Sequence, residues 1–195
     1  MSDITPLRVF VEGMMTLADA NPVSMAADAA ALMRALVAQD HWLPDGFDQT
    51  EPDPGYGQRL LHCDPLQRFS VVCFAARGGR RTPVHDHRVW GLVGVLRGAE
   101  ISTEMRLGAR GTPMRPGRVE RFAAGEICAL GPDAAYDIHW VRNALEDATS
   151  VSIHLYGSNI GAVPRGAYDP EISRATDFIS GYDNVFLPNI WKNVA

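Results

Sequence analysis

At 195 residues and 46% hydrophobic content, the chain is long enough to bury one full core and reads as a single domain. Its 18 Lys and Arg against 23 Asp and Glu give a formal net charge of -5, and no basic cluster interleaved with aromatics is present, which argues against a nucleic-acid partner. No stretch approaches about 18 uninterrupted apolar residues, the opening MSDITPLRVF has no basic segment leading into an apolar run, and Cys63, Cys73 and Cys128 show no CxxC spacing, so a cytoplasmic protein with reduced thiols and no membrane contact is expected.

Along the chain, Leu7, Phe10, Val11, Met14 and Leu17 fall at spacings of three and four, which predicts an amphipathic helix over Pro6–Ala18 with Thr5 as its cap. A second helix is expected over Met25–Gln39, capped by Ser24, with Met25, Leu32, Leu36 and several alanines as its buried stripe. Both helices read as packing elements. Pro44, Gly46, Pro52, Pro54, Gly55 and Gly57 then mark Leu43–Gly57 as a surface loop.

The rhythm changes after that loop. Short β-rich runs are expected at Arg68–Ala75, Val84–Leu96, Ala99–Thr103, Val119–Phe122, Ile127–Leu130, Asp137–Val141 and Thr149–Leu155, separated by turn signals such as Gly78-Gly79, Arg97-Gly98 and Gly131-Pro132-Asp133. Many short strands at this spacing indicate a sandwich or barrel. From Gly157 to Ala195, Pro164, Pro170 and Pro188 preclude long regular elements, although Phe178, Tyr182, Phe186, Leu187 and Trp191 suggest that the tail packs as a lid or flank.

The stretch GRRTPVHDHRVWGLVGVLRG, Gly79 to Gly98, holds the residues with the most chemistry. In an extended strand, side chains at i and i+2 share a face, so His85 and His87 are expected to point the same way from apolar surroundings. A solvated strand edge is the plain alternative. His139, in the strand-like DIHWV, offers a third imidazole or an ordinary core histidine. In VSIHLYG, Ser152, His154 and Tyr156 alternate with Val151, Ile153 and Leu155, so three polar groups face one way and three apolar groups the other. Unless that face is simply solvated, Ser152 can orient His154, and His154 can contact the Tyr156 phenol. A Ser-His-Asp hydrolase fits poorly, because one strand face carries both serine and histidine with no elbow motif or carboxylate partner in evidence.

These motifs resemble the cupin superfamily. Gly79, His85, His87 and Gly98 fit its first motif, and Gly125, His139 and Asn143 its second. Gly91 stands where the family usually places a glutamate ligand, followed by Leu92. The resemblance implies a mainly β cupin fold, a double-stranded β-helix or jelly-roll barrel with N-terminal α-helices. Residues 1–42 would form the helical layer, 56–170 the barrel and 171–195 a C-terminal flank. It also implies a neutral three-histidine face. Imidazoles alone suit iron, zinc, copper or nickel.

From about Tyr56 to Asp169, the combined motifs are similar to those of the thiol dioxygenases, cysteine dioxygenase and its bacterial relatives. By that resemblance His85, His87 and His139 would bind Fe(2+), Ser152, His154 and Tyr156 would form an outer triad, and both atoms of O2 would be placed on a substrate sulfur. The mammalian type carries a cysteine crosslinked to its tyrosine, where this chain has Gly91, and an arginine in a Tyr-x-Arg segment, where this chain has Tyr56, Gly57 and Gln58. IGAVPRGAYDP, with Arg165, resembles instead the bacterial 3-mercaptopropionate dioxygenases. There Arg165 would hold the carboxylate of a small thiol acid, with Gln58 as a further polar contact. Taken alone, Arg165 reads as a solvated loop residue. Oxidation of cysteine or mercaptosuccinate, a non-catalytic metal-binding cupin and a zinc hydrolase stay open as alternatives, as do the oligomeric state and the physiological thiol.

Overall fold

The computed structural model describes residues 2–20, 25–50, 55–109, 111–131 and 137–191. Helices α1 (Thr5–Ala20) and α2 (Met25–Val37) lead into strands β1 (Tyr56–Cys63), β2 (Ser70–Ala76), β3 (Val84–His85), β4 (Gly91–Arg97), β5 (Ala99–Arg106), β6 (Arg115–Ala123), β7 (Ile127–Leu130), β8 (His139–Asn143), β9 (Ser150–Tyr156), β10 (Arg165–Asp169) and β11 (Arg174–Phe178). All pairings are antiparallel and make two sheets, of order β1-β2-β9-β4-β7 and β11-β10-β3-β8-β5-β6. After β2 the chain shuttles between the sheets, the topology of a double-stranded β-helix. The fold is mainly β with two N-terminal helices, as expected.

The helices explain how β2 and β9 can be apolar on a face turned away from the barrel. Leu7, Phe10, Val11 and Met14 of α1, with Met33, Leu36 and Val37 of α2, bury against Val71, Cys73, Ile153 and Leu155 on that face. Val72, Ser152, His154 and Tyr156 are left to the interior by the period of two. Gly94 is required by this packing, since a Cβ there would stand 2.8 Å from Val37 and 3.0 Å from Met33. Ile153, with no exposed surface, lies at the centre of the layer. Ile153→Ala is expected to cost about 3 kcal/mol, read as a lower urea midpoint at unchanged slope.

Several local expectations are corrected. Asp3 Oδ1, not Thr5, accepts from the first helical N–H, at 3.1 Å from Thr5 N. Helix α2 stops at Val37 because the buried Trp42 indole donates to the Leu36 and Gln39 carbonyls at 3.0 and 2.8 Å. Leu32 is only half-buried, and Met33, Ala29 and Val37 make the stripe in its place. The proposed Ser24 cap, Pro52, Pro54 and the Pro132-Asp133 turn lie outside the described residues. Strand β1 starts at the last two residues of the expected loop, Tyr56 and Gly57, and runs on through residues 58–63, for which the sequence predicts no element, paired along one edge with β2. Strands β10 and β11 form in the C-terminal region, β10 fitting between Pro164 and Pro170. In the tail, Tyr182 and Phe178 pack inward, whereas Phe186 (84% exposed), Leu187 (52%) and Trp191 (62%) do not. No described helix is long and apolar enough to cross a membrane.

The largest difference concerns Val84–Leu96, which is two strands in different sheets. Between them Arg88 takes a positive φ of 56°, a conformation uncommon outside glycine, and the chain crosses from one sheet to the other. Asp86 fixes the crossing. Its carboxylate accepts from Gly166 N at 2.7 Å and from the Tyr168 hydroxyl at 2.8 Å, and its own N–H donates to Gly166 O at 3.0 Å.

Candidate metal centre

His85 on β3 and His139 on β8 are direct register partners, so pairing of two strands distant in sequence sets two imidazoles side by side. His87 joins them from the turn after β3. The three ring centroids form a near-equilateral triangle of 4.9, 4.9 and 5.0 Å, and one ligand atom from each ring lies within 4.8 Å of the others. Such a group is able to hold a metal ion.

The remaining ring nitrogens orient two of these side chains. His139 Nδ1 is hydrogen-bonded to Ser102 Oγ at 2.9 Å, and His85 Nδ1 lies 3.0 Å from the Pro83 carbonyl, as expected when Nδ1 carries the proton and Nε2 is left for a metal. His87 Nδ1 is buried without a partner, while its backbone N–H donates to Asp137 Oδ1 at 3.3 Å. Burial pushes the His85 imidazole down to about 4, and burial with the neighbouring rings holds His87 and His139 well below the ordinary range. Neutral imidazoles are the ligand form, so the donor set fits a first-row transition ion. Because Ser102 sets the His139 orientation, Ser102→Ala is expected to weaken metal binding roughly 10- to 100-fold, measured by competition with a chromogenic chelator.

Among the described residues no carboxylate belongs to the group. Gly91, nearby, is required by packing. It is the register partner of Tyr156, and a Cβ at 91 would meet the Tyr156 ring and the Leu155 carbonyl at 3.0 Å. The space goes to the Tyr156 ring, which lies over His87 at 5.7 Å with planes 21° apart.

Tyr156 belongs to a hydrogen-bonded chain. Ser152 Oγ lies 2.9 Å from His154 Nε2, and His154 Nδ1 lies 2.8 Å from the Tyr156 hydroxyl. Burial pushes His154 down to about 3 and the Tyr156 phenol upward, so both are neutral near pH 7. The strand alternation places this chain on the inner face, and β9, between β2 and β4, holds it centrally in its sheet.

Beside the triad a cavity of about 440 Å³ is lined by His85, Arg165, Gln58, Tyr56, Phe74 and Ser180, among others. Arg165, expected from the sequence alone to be a solvated loop residue, is 3% exposed. Its guanidinium stacks over Phe178 at 4.8 Å and donates to Ser180 Oγ at 2.8 Å, while its Nε is buried without a partner. Gln58 donates from its amide to Ser180 Oγ at 3.0 Å and Gly181 O at 2.9 Å, so the tail strap ties both residues to one wall. Of the eight residues singled out in the sequence, Gln58, His85 and Arg165 line this cavity, His87 and His139 complete the triad with His85, and Ser152, His154 and Tyr156 form the chain that ends over His87. His62 is elsewhere, against Phe69.

Sequence reading passed over Glu100, Ser102, Asp86 and Ser180. Glu100 and Ser102 carry the same signal as VSIHLYG, alternating polar residues inside an otherwise buried strand. Asp86 and Ser180 carry none, because their partners come from β10 and β1.

No protein-family model matches the chain. Among solved structures it is similar to a conserved protein with a double-stranded β-helix domain from Klebsiella pneumoniae, at 17% identity over 60% of this chain and 89% of that one, with a TM-score of 0.45. A cupin-like protein from Thermotoga maritima shares 20% identity over 59% of this chain and 77% of its own, with a TM-score of 0.43. A cupin superfamily protein from Desulfitobacterium hafniense shares 11% over 60% and 90%, also at 0.43. These likenesses concern the fold.

Proposed function

We propose that this chain is an iron(II)-dependent thiol dioxygenase that oxidises a small mercapto-carboxylic acid of the 3-mercaptopropionate type to its sulfinate. The observation that carries the reading is the cavity shared by His85 and a buried guanidinium with an unsatisfied Nε. A buried arginine facing a carboxylate-free histidine triad suits a ligand that is anionic at one end and metal-binding at the other.

His85, His87 and His139 would hold the metal, and ferrous iron there would supply the redox chemistry that joins dioxygen to sulfur. Arg165 pairs with the substrate carboxylate and fixes its distance from the triad. Tyr56 and Phe74, stacked at 5.6 Å, wall the cavity with apolar surface and limit water. The Tyr156 hydroxyl, held by His154, is the proton-bearing group next to the triad. In the balance, one thiol and one O2 give one sulfinic acid, with both oxygen atoms on sulfur and no external reductant.

Asp183 is the carboxylate among the described lining residues, and the Gln58 backbone N–H already occupies it at 2.6 Å. That bond leaves other acceptor sites on Asp183 open, so cysteine, with its α-ammonium group, is the competing substrate that the panel must separate from 3-mercaptopropionate. The test is an oxygen-electrode and mass-spectrometric panel of 3-mercaptopropionate, cysteine and mercaptosuccinate with anaerobically reconstituted ferrous protein. One O2 consumed per sulfinate is expected, fastest with 3-mercaptopropionate; metal binding with no sulfinate from any of them would leave a non-catalytic cupin.

A further inference from the structure

The polar chain along β9 does not end at Ser152. Glu100, on β5 of the opposite sheet, is 3% exposed. It accepts from Ser150 Oγ at 3.2 Å and is hydrogen-bonded to Ser152 as well. Glu100, Ser152, His154 and Tyr156 are thus joined end to end, from the barrel interior to the phenol stacked over His87. A small cavity of about 20 Å³ beside them, lined by Val93, Val95, Phe122 and Val141 among others, keeps the inner end in largely apolar surroundings.

Counting protons fixes the sense of this chain. Serine and phenol each have one O–H, and a neutral imidazole has one N–H. An ionised Glu100 can only accept, so Ser152 donates to it. Ser152 Oγ then accepts from His154 Nε2–H, the bare Nδ1 accepts the phenolic proton, and Tyr156 shows lone pairs to the pocket. A protonated Glu100 that donates to Ser152 reverses each bond. Ser152 then donates to Nε2, Nδ1–H donates to the phenol oxygen, and the phenolic O–H turns to the pocket.

We infer that Glu100 is the positioning residue that sets the polarity of this chain, deciding whether Tyr156 faces the substrate as hydrogen-bond acceptor or donor, and that it stores the proton the chain delivers. What Tyr156 faces rests on the dioxygenase reading; the polarity itself does not. Delivery is a concerted shift. The phenol gives its proton to a basic atom in the pocket and takes one from Nδ1, the imidazole takes one at Nε2 from Ser152, and the serine takes the proton of Glu100. Glu100 ends as a carboxylate, and each member between ends with the protons it began with.

The surroundings suit that role. Burial pushes the Glu100 carboxyl up to about 7. The ionisable groups around it are Cys73 of β2 and Cys128 of β7, whose thiols burial pushes up to about 12, with His139 of β8 and His154 and Tyr156 of β9, all held neutral. No Lys or Arg lines the small cavity among the described residues. Ser102, not Glu100, holds the His139 ring.

The test is the proton position on His154, read by ¹⁵N NMR of the zinc-loaded or metal-free protein between about pH 5 and 9. The wild type should carry the proton at Nδ1 in acid and at Nε2 in base, with a midpoint near 7. In Glu100→Gln the amide oxygen takes the Ser150 bond and the amide N–H donates to Ser152, so His154 should keep Nδ1–H throughout. Ser152→Ala, which cuts the chain, should also remove the pH dependence and serves if the first variant does not fold. A His154 proton that stays put in the wild type, or moves identically in both variants, overturns the inference. The folded Glu100 holds its proton above the ordinary 4.5, so its contribution to stability is lost as pH rises from there through about 7. Glu100→Gln should accordingly raise Tm above pH 7 and change it little below pH 4.5. Absence of sulfinate in the thiol panel would end the dioxygenase reading and leave the NMR result standing.

Discussion

His139→Ala is expected to weaken metal binding by about 100-fold or more while leaving the chain folded. Structural zinc in four-ligand peptides is worth about 10–16 kcal/mol, so one ligand contributes on the order of 3 kcal/mol, and its loss weakens binding by about 100-fold or more. The fold should survive because the His139 imidazole is neutral and buried, and its replacement removes a desolvated polar ring instead of an ion-pair partner. Its strand is held by the β3 and β5 ladders, which do not depend on the side chain. Metal content after reconstitution, with circular dichroism on the same sample, checks both halves. Stoichiometric metal in the variant would show that the triad is a packing cluster and remove the basis for the proposed chemistry.

Arg165→Ala should raise KM for 3-mercaptopropionate about 100-fold with a smaller change in kcat. Removing one partner of a buried, hydrogen-bonded charge pair costs roughly 2–5 kcal/mol, and each 1.4 kcal/mol is tenfold. The carboxylate lies away from the reacting sulfur, so most of the effect belongs to binding. Arg165→Lys keeps the charge and loses the planar fork and the stacking on Phe178, and an intermediate rise of about 10-fold is expected. Iron content should be unchanged in both, since Arg165 is on β10 and touches the triad only across the cavity. An unaltered KM in the alanine variant would reassign Arg165 to holding the tail strap through Ser180.

The sites of these two replacements differ in how they could be read from the chain. His139 stood in a strand-like run with a motif around it, and the register partner that makes it useful, His85, is supplied by β3. Arg165 had only its place in a resembling segment. Its burial comes from β11, the Phe178 ring and Ser180, all brought back by a hairpin in a region where prolines suggested little regular structure.

Local pattern alone determined the two helices and the buried stripe of the first, most of the strands, and the division of VSIHLYG into an apolar face for the helical layer and a polar face for the interior. Those features depend on the periods of helix and strand, which each residue expresses with its neighbours. Tertiary structure decided the break between His85 and Gly91, the edge strands β1 and β11, and the assembly of Glu100, Ser102 and Asp86 around the histidines. Each of those rests on a pairing partner outside the element itself, near in the chain for β1 and β11 and dozens of positions away for Asp86, Glu100 and Ser102, and such a partner leaves no periodic trace. The three rings meet because β3 and β8 pair within one sheet and the turn after β3 brings His87 beside them, and that closeness exists only once the strands have paired.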